Sequence, residues 1–335
     1  MLTTLPARRA RSGARRVALT FRAMPHPRKF RFGIQLSTAP SGQEWAALAR
    51  KAEDLGYSTL FMPDHFGDQL APVPALMAAA DATNDLRLGA LVFDNDFKHP
   101  VVLAKEIATL DVLSGGRIEF GIGAGWLTTD YEQSGISKER DGVRIDRMVE
   151  AVDVFRGAWA EGPFSFTGEH YTITEYNAMP KPLQKPNPPI LIGGGGPKVL
   201  RIAAQRADIV GINPRLTAGA VTAEAGQDAR AEMVDKKVQW VKDAAGDRYD
   251  ELEFNILVFF STVTDDARGM AEGLAAAFSV TPDEVLEVPY AWFGTVDQIC
   301  DKLRAARERW DVSYFVLQGD TMDVMAPVVA ELAGT

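Results

Sequence analysis

Eight short apolar runs, each followed by a helical pattern, leave this chain few ways to fold. The runs are FGIQL (32–36), STLFM (58–62), LRLGALVF (86–93), RIEFGIGAG (117–125), ILIGG (190–194), DIVGI (208–212), LEFNILVFFSTV (252–263) and SYFVL (313–317). They are apolar at consecutive positions, the pattern of parallel strands covered by helices on both faces. The intervening segments have helical spacing. GQEWAALARKAEDLG (42–56), for instance, puts Trp45, Leu48, Ala49, Ala52 and Leu55 on one face, with Gly56 placed to end the helix. A single helix is likewise predicted over 229–245. Two segments break the rhythm. FSFTGEHYTITEY (164–176) alternates around Thr167-Gly168 and predicts a β-hairpin inserted after helix four, and MPKPLQKPNPP (179–189) is too proline-rich for a helix. Eight units close a barrel, and 335 residues suit one. An open doubly wound sheet would carry a glycine fingerprint in its first βα turn, which here reads LSTAPSGQ. The expected fold class is therefore α/β, a (β/α)8 TIM barrel carrying insertions.

Charge divides the chain unevenly. Residues 1–31 hold nine Arg and Lys and no acid, which leaves 27 basic against 45 acidic residues in the remainder. An acidic body argues against nucleic acid as a partner. The basic segment lacks the apolar stretch of a secretory signal and reads as a disordered extension or a mis-assigned start, with the barrel domain over 32–335. No window of 18 uninterrupted apolar residues predicts a membrane span. The lone cysteine, Cys300, shares helical spacing with Val296 and Leu303, so a buried thiol and a reducing, cytoplasmic setting are expected.

In a barrel enzyme, chemistry gathers where the strands end. After strand two come Asp64 and His65. His65 is a ready proton carrier near neutral pH, and Asp64 is placed either to orient it or to fix the turn. After strand three, DNDFKHP (94–100) suggests a tight turn, and no partner carboxylates at loop spacing argue for a metal. His26, His99 and His170 have no zinc-like spacing. After strand four, Gly121, Gly123 and Gly125 alternate before Trp126, a pattern that lets a flat ligand approach the backbone with Trp126 as its wall. After strand five, Gly193, Gly194, Gly195 and Gly196 lead into a helix. Bare N–H groups and the helix dipole converge there on a phosphate, with Lys198 near enough to add charge. No G-K-[ST] follows, so this is not a triphosphate P-loop.

Taken together, FGIQL, GYSTLFMPDHF, the run from LRLGALVF to GIGAGW, PPILIGGGGPKVLRIAAQRADIVG and FGTVDQICDKL resemble the bacterial luciferase-like superfamily over about residues 32–330. The similarity is greater to its deazaflavin (coenzyme F-420) oxidoreductase branch, because the GGGGPK loop lacks the hydroxyl residues of flavin mononucleotide (FMN) members. The resemblance implies a cofactor ring over the barrel mouth on a cis peptide at Leu91–Val92, lined by Asn95, Gly123, Gly125 and Trp126, with residues 193–196 on the phosphate. It implies hydride transfer at the deazaflavin C5, His65 assisting with the proton, and a homodimer. The alternative is an FMN-dependent monooxygenase fed by a separate reductase. Some dehydrogenases of this branch carry a glutamate acid where Trp126 stands, so their sugar-phosphate chemistry is not expected here. Trp126, Tyr131, Tyr290, Trp292 and Phe293 lie in segments expected to wall the substrate pocket, together with the hairpin and residues 214–224, and hint at an apolar or planar small-molecule substrate.

Overall fold

A computed structural model describes residues 26–216, 219–220 and 222–335. The basic extension up to residue 25 lies outside them. The strands are β1 (Arg31–Gln35), β2 (Thr59–Met62), β3 (Arg87–Ala90), β4 (Phe93–Asp94), β5 (Ile118–Gly123), β6 (Phe164–Thr167), β7 (Thr172–Tyr176), β8 (Ile190–Gly194), β9 (Ile209–Ile212), β10 (Glu253–Leu257), β11 (Phe260–Val263), β12 (Ala291–Gly294) and β13 (Val312–Gln318). The helices are α1 (Gly42–Asp54), α2 (Pro72–Ala82), α3 (Pro100–Ser114), α4 (Thr128–Ser134), α5 (Asp141–Trp159), α6 (Pro197–Arg206), α7 (Ala223–Asp228), α8 (Ala231–Ala245), α9 (Ala267–Phe278), α10 (Pro282–Glu287), α11 (Val296–Trp310) and α12 (Met322–Leu332).

Eight parallel strands run in the order β3-β2-β1-β13-β10-β9-β8-β5, and β5 pairs back onto β3 to close the barrel. Closure brings two backbones very close. A Cβ on Gly89 would lie 2.2 Å from the Glu119 carbonyl oxygen, and one on Gly121 would lie 2.1 Å from that of Ala90. Only glycine fits at either place.

The barrel interior has two layers. Phe61, Leu191, Ile209 and Val316 form an apolar layer with Leu91. Below it, at the starts of the strands, the Arg31 guanidinium binds Glu253 through two bonds of 2.7 Å and Glu119 at 2.6 Å. Arg87 Nε also donates to Glu119 at 2.6 Å, and the Tyr314 hydroxyl donates to it at 3.1 Å. Two cations thus neutralise two carboxylates inside the barrel. The arginines hold the Glu119 carboxyl below its usual range despite burial, which pushes it up. The larger core lies between sheet and helices, where Phe120, Phe155 and Trp159 pack edge to face and stacked.

Four departures from the expected pattern have local causes. Strand three is two pieces, β3 and β4, separated by a cis Leu91–Val92 bond. Strand seven ends at Leu257; the rest of that apolar run, β11, leaves the barrel and pairs in parallel with β12, an unexpected strand. The helix predicted over 229–245 is present as α8, and a short helix the sequence did not predict, α7, precedes it across Ala229 and Arg230. The folded chain also begins before Phe32: Phe30 is in the core, and Arg28 donates to the Asp250 carbonyl at 3.0 Å.

Candidate active site

At the C-terminal face, Gln35 Nε2 donates to the Leu91 carbonyl at 3.1 Å and ties the cis peptide to β1. Beyond it, β4 pairs with the top of β5, Asp94 opposite Gly123.

His65 follows β2. Its Nδ1 lies 2.6 Å from Asp130 Oδ2, while Asp130 Oδ1 accepts from the Phe66 N–H at 3.1 Å. A carboxylate only accepts, so in the neutral ring the proton sits on Nδ1 and Nε2 is the acceptor. Trp126 stands edge-on to the imidazole, with centroids 5.7 Å apart. Asp130 belongs to α4, a short helix inside what the sequence reads as loop, and it escaped the sequence candidates. Asp64 has the other of its two expected roles. Its Oδ2 accepts from the Asp94 N–H at 3.1 Å and so fixes the turn. Burial pushes its carboxyl up.

Beneath this lies an acidic knot. The Tyr131 hydroxyl is 3.1 Å from Asp94 Oδ2 and 3.0 Å from Asp96 Oδ2. Arg147 pairs with Asp96 at 2.8 Å, and Arg144 Nη1 donates to the carbonyls of Ala124 and Gly125 at 2.9 and 2.6 Å. Burial, with Asp96 and Asp64 adding repulsion, pushes the Asp94 carboxyl up to about 7. Tyr131 is thus a buried network residue and not a pocket wall. Among the described residues, no group of three His, Cys, Asp or Glu is placed to hold a metal.

The glycines divide by what occupies the space a side chain would take. A Cβ on Gly123 would meet Val92 Cγ2 at 2.5 Å; one on Gly125, whose φ is +75°, would meet the Tyr131 hydroxyl at 1.9 Å. The chain itself requires these glycines, and Gly121 belongs to the same class. In the strand-five loop, a Cβ on Gly194 would meet Val199 at 2.5 Å and one on Gly195 the Asn213 carbonyl at 2.6 Å. Gly193 and Gly196 differ. Their nearest neighbours would be Asn213 Nδ2 at 3.3 Å and Arg215 Cδ at 3.8 Å. Gly196 also precedes α6, which has no side-chain cap. Lys198 turns away to Asp146 at 2.5 Å. The Oδ1 atoms of Asn95 and Asn213 are buried without a hydrogen-bond partner among the described residues. An uncapped helix start, open backbone at Gly196, a Gly193 whose nearest neighbour is only the Asn213 side chain, and two orphaned amide oxygens suit a phosphate-bearing, hydrogen-bonding cofactor.

A cavity of about 740 Å³ occupies the other side of the mouth, at the ends of β1, β9, β10 and β13 and under α7, α9 and α10. Of the five aromatic residues expected near the substrate, Tyr290 lines it. Trp292 is instead fully buried core against Phe32 and Phe315. The hairpin and the 126–140 segment do not contribute to its lining.

Residues 28–313 match the Luciferase-like monooxygenase family. The chain belongs to that family. It is 31% identical over 279 residues to an uncharacterized protein of Mycobacterium tuberculosis, covering 73% of this chain and 97% of that one. It is 28% identical over 302 residues to an F-420-dependent glucose-6-phosphate dehydrogenase of Nakamurella multipartita, covering 86% and 84%. A monooxygenase structure from Streptomyces bottropensis superposes with a TM-score of 0.69 at 25% identity, over 90% of this chain and 99% of that one.

The raised Asp94 pKa has a direct consequence for stability. The folded state prefers the protonated acid, so its contribution is complete below the unfolded value of 3.8 and is lost as pH rises through about 7. Asp94→Asn removes this titration. Urea unfolding at about pH 5 and pH 8 is expected to show the variant gaining stability on the wild type at the higher pH. An equal difference at both would assign Asp94 an ordinary pKa.

Proposed function

We propose that this protein is an oxidoreductase that binds coenzyme F-420 across the barrel mouth and exchanges a hydride between it and a small organic substrate. The carrying observation is the open backbone at Gly196 ahead of the uncapped α6, on the same face as the cis Leu91–Val92 bond. The relative named an F-420-dependent dehydrogenase and the hydroxyl-free GGGGPK loop favour the deazaflavin over FMN. When bound, the deazaflavin supplies two-electron hydride chemistry at C5.

The protein's part is placement and proton handling. Val92, packed against Gly123, presents the platform for the ring, and Asn95 and Asn213 offer acceptors to its polar edge. His65 takes or gives a proton at Nε2 while Asp130 holds Nδ1 and steadies the imidazolium. Asp64 keeps the β2 and β4 ends together.

We also infer a homodimer through α2 and α3. Both leave apolar side chains in solvent beside polar ones: on α3, Val102 and Leu113 are 52% and 61% exposed on either side of Lys105, and on α2 Pro74 and Ala78 are exposed. Large apolar side chains left in solvent on one face suit a partner surface. The buried Cys300 is consistent with a cytoplasmic setting.

Four measurements test these proposals. Titrating the apo-protein is expected to show tighter binding of F-420 than of FMN; the reverse order would install the flavin monooxygenase in its place. Gly196→Ala is expected to weaken the preferred cofactor at least about tenfold, from lost charge-assisted hydrogen bonds, without changing the unfolding midpoint. Gly195→Ala, which collides with the 213–215 backbone, is expected to lower that midpoint instead. In turnover, His65→Gln is expected to lose about 10²–10⁴ in kcat. Asp130→Asn is expected to lower kcat with KM little changed; an effect on KM alone would confine Asp130 to the Phe66 turn. Sedimentation at micromolar concentration is expected to show a dimer that Val102→Glu with Leu113→Glu dissociates, and a monomeric wild type would refute the interface.

A further inference from the structure

We propose that the 740 Å³ cavity takes an uncharged substrate with an extended apolar body, alkyl or aryl in character, and excludes phosphorylated sugars. The proposal rests on the cofactor lying at the Leu91–Val92 platform, because that placement makes this cavity the substrate side of the mouth. Two residues join the halves. Gln35 lines the cavity while its side chain holds the Leu91 carbonyl. Pro214 lines it from the segment that packs against Gly195.

Polarity is segregated within the cavity. Gln35, Ser37 and Gln318 lie at strand ends, toward the platform. Away from them the walls are Phe259, Leu274, Phe278, Val280, Val285 and Val288, from the chain around α9 and α10. A substrate that fits presents one polar, reacting end to the platform and buries an apolar remainder. The volume is within the range of small-molecule sites.

Charge excludes the competing class. Among the described lining residues Arg230 is the single cation, and its Nε lies 3.0 Å from Glu284 Oε1. Asp320 adds a second carboxylate, so the lining is net negative. Nearby Arg215 is held by Asp228 at 3.1 Å. A phosphate here meets two carboxylates and a cation that already has a partner. Sugar hydroxyls meet apolar walls and lose their water without replacement.

The roof is made of pieces that fit only each other. A Cβ on Gly226 of α7 would meet Phe278 Cβ at 2.5 Å, so α7 and α9 touch directly. The Arg230–Glu284 pair ties the start of α8 to α10. Phe278 therefore sets one wall of the cavity, and its size bears on the length of the occupant.

The test is calorimetric titration of straight-chain 2-ketones of five to eleven carbons, with glucose 6-phosphate and inorganic phosphate as the anionic probes. It is run on the full chain with and without saturating cofactor. Affinity is expected to rise about three- to fourfold per added methylene until the cavity is full. Both anionic probes are expected to bind more weakly than the longest ketones. Leu274→Asp is expected to abolish the chain-length gain while cofactor affinity is unchanged. Should that variant fail to fold, Phe278→Ala is read instead and is expected to move the optimum to longer ketones. A flat length series, tighter binding of glucose 6-phosphate to the cofactor-saturated chain, where the loop before α6 is already filled, or an optimum unmoved by Phe278→Ala would overturn the proposal. Loss of F-420 binding with the ketone series intact would count against the cofactor alone, so the two failures are distinguishable.

Discussion

The barrel depends on the place where β3 and β5 approach too closely for any side chain. Gly89 and Gly121 let the two backbones meet, and without that meeting the eight strands form an open sheet. The same approach shapes the site above it. After Ala90 the pairing with β5 passes to β4, and Leu91–Val92 lies in the gap. Gly123 receives Val92, and Gly125 receives Tyr131 and Asp94. A closure constraint low in the barrel thus propagates, glycine by glycine along β5, to the platform at its mouth.

The charged layer fastens the same strands from below. Arg87 of β3 and Glu119 of β5 are partners, and Arg31 bridges Glu119 to Glu253 of β10. Burying such a network yields little net stability against an apolar filling, but removing one member costs about 3–5 kcal/mol. Its value is in registry. A slip of β5 by one residue would turn Glu119 out of the barrel, take from Arg87 its carboxylate and leave Arg31 with Glu253 alone. The strands are therefore held at their starts by charge and at their closure by the absence of side chains.

The repeating pattern was legible because each strand is covered on both faces and so is mostly apolar in consecutive positions, with charge confined to a few strand-start residues such as Arg31, Arg87, Glu119 and Glu253. The same property hid the end of strand seven. LEFNILVFFSTV is equally apolar on both sides of Val258, and nothing in it records that Phe260 onward pairs with β12 instead of the barrel. His65 was visible as a strand-end histidine, but its carboxylate is 65 residues away on a helix of seven residues, too short for periodicity to show. The adjacent Asp64 was the more obvious partner in sequence and is the structural one in space. Glycine is ambiguous for a physical reason: a missing Cβ makes room equally for a ligand and for the chain's own atoms. Of the candidate glycines, Gly196 keeps that room open, and Gly193 is crowded only by the Asn213 side chain. The apolar hint about the substrate rested mostly on residues that do not line the cavity, since Phe259, Leu274 and Phe278, not Trp292 and Tyr131, make its wall.

The two sides of the mouth are built by different means, and this suits what each would hold. The platform side is fixed by contacts with no slack, from backbone against backbone at Gly121 to Tyr131 on Asp94 and Asp96 and Arg144 on two carbonyls. A ring that must present one atom in one position needs such a seat, because catalysis by orientation is lost with small displacements. The cavity side is roofed by short helices, with Phe260 39% exposed and its Arg230–Glu284 tie partly open to solvent. Apolar contact there is non-directional and tolerates adjustment. A chain built this way constrains the chemistry more tightly than it constrains the molecule on which that chemistry is done.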